Sequence, residues 1–146
     1  MEQQLFPQEL FGGAVVVMLP RGTDASTIRP VPDNQEVFLF EDGSLIVEIV
    51  EESGLCTADH FKDIAAANQA GHAVAEREYT HGDWSVVEGL QKIGKEQVFL
   101  VVCSTTFTCV EADVLVTFHL QEGSPLHGAV CGVLESFTVL EWGLFK

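Results

Sequence analysis

The chain has 146 residues, 47% of them hydrophobic and 20% charged, the size of about one domain and enough to bury a core without disulfide or metal staples. Seven Lys and Arg stand against 22 Asp and Glu, a formal net charge of −15, which argues against nucleic acid or an anionic membrane as partner and suits a basic protein or a cation. A mean hydropathy of +0.22 and ten Phe residues exclude a disordered acidic chain.

The first ten residues, MEQQLFPQEL, have no basic start and no long apolar run, so a secretory signal is not expected. The apolar run Ala14 to Leu19 is far short of the roughly 20 residues a membrane helix needs, and Glu141 to Lys146 holds no prenylation box. A soluble intracellular protein is expected, as a single domain over residues 1–146 with no repeat and no linker.

Leu10 to Leu19 reads as one buried strand, with Gly12-Gly13 permitting a bulge. Asp24 or Ser26 is placed to cap a short turn ending at Arg29. Pro30-Val31-Pro32 then forces extended backbone. Glu36–Phe40 and Ser44–Val50 form a hairpin around Asp42-Gly43, and the second arm, apolar on both faces, belongs at the centre of a sheet. Thr57 to Ala70 is helical, capped by Thr57 or Asp59, with Phe61, Ile64, Ala65 and Asn68 on one face and Gly71 as the stop.

Ala73 to Gly82 fits neither period cleanly. Trp84–Ile93 and Gln97–Thr108 are strands joined at Gly94-Lys95, and Asp113–Leu120 is another. Gly123 to Val139 reads as a last helix, capped by Ser124, with Pro125 in its first turn and Leu126, Val130, Val133, Leu134 and Phe137 along its apolar stripe. The expected fold is α+β: one antiparallel sheet between helices, an α/β/α sandwich.

Signals for chemistry are sparse. No GxSxG or Cys/His signature is present, and no Lys-Ser/Thr follows a glycine loop, so neither a hydrolase nor a phosphate-binding loop is indicated. Cys56, Cys103, Cys109 and Cys131 form no CxxC pair, and the five histidines do not complete a zinc site; buried thiols acting as small apolar residues are the simpler reading. Glu41-Asp42-Gly43-Ser44 lacks the alternating acids of a calcium loop. His119, between Phe118 and Leu120, is expected to point away from both, at a surface or an edge. No metal, cofactor or catalytic residue is expected.

Charge is concentrated between Asp24 and Glu52, where Asp24, Asp33, Glu36, Glu41, Asp42, Glu48, Glu51 and Glu52 face only Arg29. A solvated acidic face is the usual meaning of such a cluster. Here the prolines stiffen the loop presenting Asp33 and Glu36, which lowers the entropy lost on docking to Lys or Arg. Acidic charge in one place also steers encounter with a basic protein.

This stretch resembles the Mog1 family, the Ran guanine nucleotide release factors. The resemblance is carried by Leu10-Phe11-Gly12-Gly13-Ala14, Leu19-Pro20, Asp24-Ala25-Ser26-Thr27-Ile28-Arg29, Val31-Pro32-Asp33-Asn34-Gln35-Glu36-Val37-Phe38 and Ser44-Leu45-Ile46-Val47-Glu48. Weaker likeness follows at His60-Phe61-Lys62-Asp63, Ala112 to Phe118 and Leu144-Phe145, and the chain is more compact than some members.

The resemblance implies an antiparallel sheet between helices, a fold shared with the photosystem protein PsbP. It also implies a non-enzymatic regulator that binds the GTPase Ran, promotes release of its GTP and supports nuclear import, acting in nucleus and cytoplasm. A monomer is expected, and a second Ran-binding protein in the complex is left open. By the same resemblance Asp33 and Glu36 contribute to Ran binding, and Asp24, Arg29, Gln35 and Glu48 match family positions; Arg29 has the alternative of pairing with a carboxylate to hold the loop. Release is open to two routes: engaging a basic residue that neutralises phosphate, or competing for Mg²⁺. The alternative is a binding or scaffold module of this fold without release activity.

Overall fold

The computed structural model describes residues 4–145, so the first three residues and the last lie outside the described part of the expected domain. The first departure from expectation is at Leu10–Leu19. Strand β1 (Phe6–Leu10) and strand β2 (Val15–Leu19) are the two arms of a hairpin rather than one strand. Phe11, Gly12 and Gly13 lie between them with φ of 52°, 69° and 92°. Three successive residues in that region reverse the chain, and glycine at two of them removes most of the steric cost.

Next come β3 (Thr23–Asp24), a 3₁₀ turn (Ala25–Thr27), β4 (Gln35–Phe40), β5 (Gly43–Glu51) and helix α1 (Thr57–Ala67). Then follow β6 (His72–His81), β7 (Trp84–Ile93), β8 (Glu96–Phe107) and β9 (Ala112–Gln121). Helix α2 (Val130–Ser136) and β10 (Thr138–Val139) lead to a final 3₁₀ turn, Trp142–Phe145.

Among the described residues, seven strands form one antiparallel sheet in the order β3-β4-β5-β9-β8-β7-β6, and β1-β2-β10 form a second, smaller one. The expected sandwich is therefore present with two sheets instead of one. α1 covers one face of the large sheet, against β7 and β8, around Phe61, Val87, Leu100, Val102 and Leu115. α2 and the small sheet cover the other, around Phe118, Leu45, Val47, Val116, Val17 and Val133. β5 and β9 are central, which explains why their sequences are apolar on both faces.

The predicted hairpin is β4–β5, but Gly43 sits inside the strand, paired with Phe40 on one side and Leu120 on the other. A Cβ there would collide with the His119 carbonyl, so this glycine admits β9 rather than making the turn. The residue at the start of α1 is Cys56 rather than Thr57, and Asp59 contributes to the cap from the first turn: its carboxylate accepts from the Cys56 N–H at 3.3 Å and its thiol at 3.1 Å. Its reversal falls at Gln69 (φ 57°) rather than at Gly71.

The ambiguous stretch is edge strand β6, exposed along almost its whole length, with a register shift between Ala75 and Arg77. Only part of the predicted last helix is α-helical. Pro125–Ala129 is a 3₁₀ turn, Ser124 Oγ accepts from the Leu126 N–H as expected of a cap, and β-branched Thr138 and Val139 pair with β2. His127 Nε2 lies 2.9 Å from Glu88 Oε2. Glu88 is itself buried on β7 with Arg77 Nη1 at 3.6 Å. This contact ties the 3₁₀ turn to the sheet.

Candidate functional site

Strand parity distributes the predicted site residues. Cross-strand partners share a face. Glu36 pairs with Val47, which points into the main core, whereas Gln35 pairs with Glu48 on the α1 side. β3 pairs with β4 only through Thr23↔Leu39 and Asp24↔Phe38. Below that level β4 is the open edge of the sheet. Phe38 lies two residues from Glu36, so Asp24, its cross-strand partner, stands on the same face as Glu36.

The result is a groove of about 410 Å³ lined in part by Phe11, Asp24, Asp33, Gln35, Glu36 and Leu144. Asp24 Oδ1 accepts from the Ser26 N–H at 2.9 Å and its hydroxyl at 2.8 Å, which fixes the turn as the cap predicted. Asp33 is exposed at the end of the proline segment, and the Gln35 N–H donates to the Pro32 carbonyl at 3.0 Å. Glu36 is half-buried, and its Oε1 accepts from the Phe11 N–H at 3.3 Å. The β1–β2 turn is thereby anchored to the acidic site.

Burial pushes the Glu36 carboxyl above its ordinary range; the Phe11 N–H works against this, and the Asp24 charge adds to it. The sign has two consequences. A raised carboxylate pKa means that Glu36 supports folding best when protonated and loses that contribution as pH rises through its folded value. The Glu36→Gln protein is therefore expected to be at least as stable as the native chain near about pH 7. A basic partner that needs the ionised carboxylate should begin to dissociate on acidification above the usual glutamate range. A pH series of affinity, with Glu36→Gln beside the native chain, checks this. An unchanged acid limb in the variant would show that Glu36 does not carry it.

Two predicted residues lie outside the groove. Glu48 accepts from the Gln35 amide across the strand pair and lines a separate hollow with His60 and Asp63. Arg29 is exposed and forms no ion pair within 4.0 Å among the described residues, so it does not hold the loop through a carboxylate. Phe11 and Leu144 are groove residues that periodicity alone did not reveal. The signals were the consecutive glycines after Phe11 and the apolar C-terminal sequence.

Only Cys103 is a buried thiol, and burial raises its pKa strongly; Cys56 and Cys109 are exposed and Cys131 is half-buried. His119 points away from Phe118 and Leu120, but β9 is interior, not an edge. The ring meets the Asn68 amide at 3.1 Å, and burial lowers its pKa.

Ser53, Asp113 and His60 do meet, yet the Ser53 hydroxyl bonds the Asp113 carboxylate at 2.7 Å, not the imidazole. A nucleophile–base pair requires the opposite order. Among the described residues no three His, Cys, Asp or Glu side chains converge as a metal site. No described helix is long and apolar enough to cross a membrane.

Comparison with known proteins agrees with the fold. The model of the family Mog1, described as Ran-interacting Mog1 protein, matches residues 8–121. The chain is 31% identical over 130 residues to the Danio rerio Ran guanine nucleotide release factor, covering 84% of this chain and 66% of that protein, just under two thirds of its length. It is 34% identical over 137 residues to the Homo sapiens Ran guanine nucleotide release factor, covering 75% and 73%. The crystal structure of the Saccharomyces cerevisiae Ran-binding protein Mog1p superposes with a TM-score of 0.84 at 24% identity, over 99% of this chain and all of that one. With this architecture and a family match across most of its length, the chain belongs to the Mog1 family.

Proposed function

We propose that this protein binds the GTPase Ran through the groove of Asp24, Asp33 and Glu36, promotes release of its GTP and so supports nuclear protein import. The observation that carries the reading is the groove itself. It gathers three carboxylates from separate elements, with no Lys or Arg lining it among the described residues, in a chain of net charge −15. Family membership supports the choice of partner. On this reading the protein is a regulator rather than a catalyst of bond chemistry, works as a monomer and acts in nucleus and cytoplasm.

Release requires tighter binding to the nucleotide-free GTPase than to the loaded one. A carboxylate achieves that by taking a basic side chain away from phosphate or by competing for Mg²⁺. The deciding experiment follows a fluorescent GTP analogue leaving Ran, with the native chain and with Asp33→Ala/Glu36→Ala. Native acceleration that falls at least tenfold in the double variant is the expected result. Binding without acceleration would instead favour a scaffold, and acceleration by both proteins would place the contact elsewhere.

A further inference from the structure

Most large apolar side chains of the chain are covered, but Ile28, Leu140 and Trp142 are 66%, 61% and 43% exposed. These three belong to segments joined to the acidic groove by hydrogen bonds or by the chain itself. Ile28 closes the 3₁₀ turn that Asp24 caps, its N–H donating to the Ala25 carbonyl at 3.0 Å. On the other side, the Ala14 carbonyl, just past the Phe11–Gly13 turn, accepts from the N–H groups of Leu140 at 2.8 Å and Glu141 at 3.1 Å. That same turn donates the Phe11 N–H to Glu36. Two residues beyond Trp142, Leu144 enters the groove wall.

Trp142 is held in place as well as exposed. Its ring stands edge-on to Phe107 at 5.2 Å and packs against Phe145 at 5.6 Å. Phe107 and Glu36 are on the same side of the large sheet. Phe107 pairs with Ala112, which pairs with Glu51, and Glu51 is four residues from Val47, the partner of Glu36. A braced aromatic ring loses little entropy on contact. Apolar anchors supply affinity at an interface, and charge supplies register and encounter rate.

We infer that Leu140, Trp142 and Ile28 are apolar anchors of the same interface, taking aliphatic or aromatic side chains that flank the basic residues on the protein partner. The inference rests on the groove being the docking site. Charge complementarity selects the occupant: with a net charge of −15 and three carboxylates lining the groove, a second copy of this chain would be repelled, whereas a basic protein face would be drawn in.

Salt separates the two contributions, because screening weakens exposed charge pairs and leaves apolar burial intact. Affinity for nucleotide-free Ran would be measured at low and high salt for the native chain, Trp142→Ala, Leu140→Ser/Ile28→Ser, Leu55→Ser and Asp33→Ala/Glu36→Ala. Leu55, 45% exposed, lines the hollow on the α1 side and is the control. The expected result is a loss of about tenfold for each anchor variant at both salt concentrations, with Leu55→Ser unchanged. The Leu140→Ser/Ile28→Ser protein keeps the test open should Trp142→Ala unfold, since it disturbs no buried side chain. Anchor variants within twofold of native, with Asp33→Ala/Glu36→Ala inactive, would overturn this inference and leave the proposed site standing. Full binding by Asp33→Ala/Glu36→Ala would overturn the site itself, and the inference with it.

Discussion

Phe118→Ala is expected to lower folding stability by about 3–5 kcal/mol. Phe118 is 1% exposed at the middle of β9, paired with Leu45 of β5 and Val101 of β8, both wholly buried. Removing the ring forfeits its transfer free energy and leaves a cavity that two paired strands cannot close by moving independently. Domains of this size are stable by only about 5–15 kcal/mol, so the variant would sit near the folding threshold. Phe118→Leu, which keeps most of the volume, should cost less than about 1.5 kcal/mol. Urea midpoints at constant m would read both. The functional consequence follows from the sheet order: β9 carries β5, β5 carries β4, and β4 carries Glu36. A cost below about 1.5 kcal/mol for Phe118→Ala would mean that the core does not run through this row.

Asp113→Ala is expected to cost about 3–4 kcal/mol, through lost hydrogen bonds rather than a cavity. Asp113 is 2% exposed. Its Oδ1 accepts from the Thr106 hydroxyl at 2.6 Å, and its Oδ2 accepts from the Ser53 N–H at 3.1 Å and the Ser53 hydroxyl at 2.7 Å. His60 Nε2 stands 4.0 Å away. Each bond to a charged acceptor is worth about 1.5–3 kcal/mol, and bonds to one carboxylate do not simply add. Truncation would also release Ser53, and with it the segment that leads β5 into α1.

The pH dependence tells the two mechanisms apart. Burial alone would raise the Asp113 pKa, but the bonds from Thr106 and Ser53, helped by nearby His60, outweigh it and the pKa is lowered. A lowered carboxylate pKa contributes stability above the unfolded value of roughly 3.9, and that contribution is lost as pH falls through the folded value. The gap between native and Asp113→Ala should therefore be full near about pH 7 and shrink once the pH falls below the ordinary aspartate range. A gap that persists unchanged in acid would assign the loss to packing.

The elements legible from sequence were those whose signal is local. The β4–β5 hairpin, the strands Trp84–Ile93, Gln97–Thr108 and Asp113–Leu120, and the Asp24 and Ser124 caps depend on alternation, turn residues or a side chain reaching two residues along the chain. The hairpin arm Ser44–Val50 already showed a central strand, because burial on both faces leaves no polar alternation. The Mog1 likeness was legible for a similar reason, since its densest part, Leu10 to Glu52, covers the β1–β2 turn, the capped turn and the β4–β5 hairpin that surround the groove.

What the tertiary structure alone decided depends on partners distant in the chain. The Phe11–Gly13 reversal that makes Leu10–Leu19 a hairpin is tied to the large sheet by Glu36, 25 residues beyond Phe11, which accepts the Phe11 N–H. The predicted last helix broke because β2 offered an unpaired edge to Thr138 and Val139, and because the buried Glu88 held His127. Gly43 looked like a turn residue and proved to be where β9 approaches. The acidic residues themselves were plain in the sequence. Only strand parity determined that Asp24 and Glu36 share a face while Glu48 stands on the other, and only the folded C-terminus brought Leu144 to the groove. Composition and local pattern supplied the charges and the strands; the registers and the long-range hydrogen bonds converted them into a site.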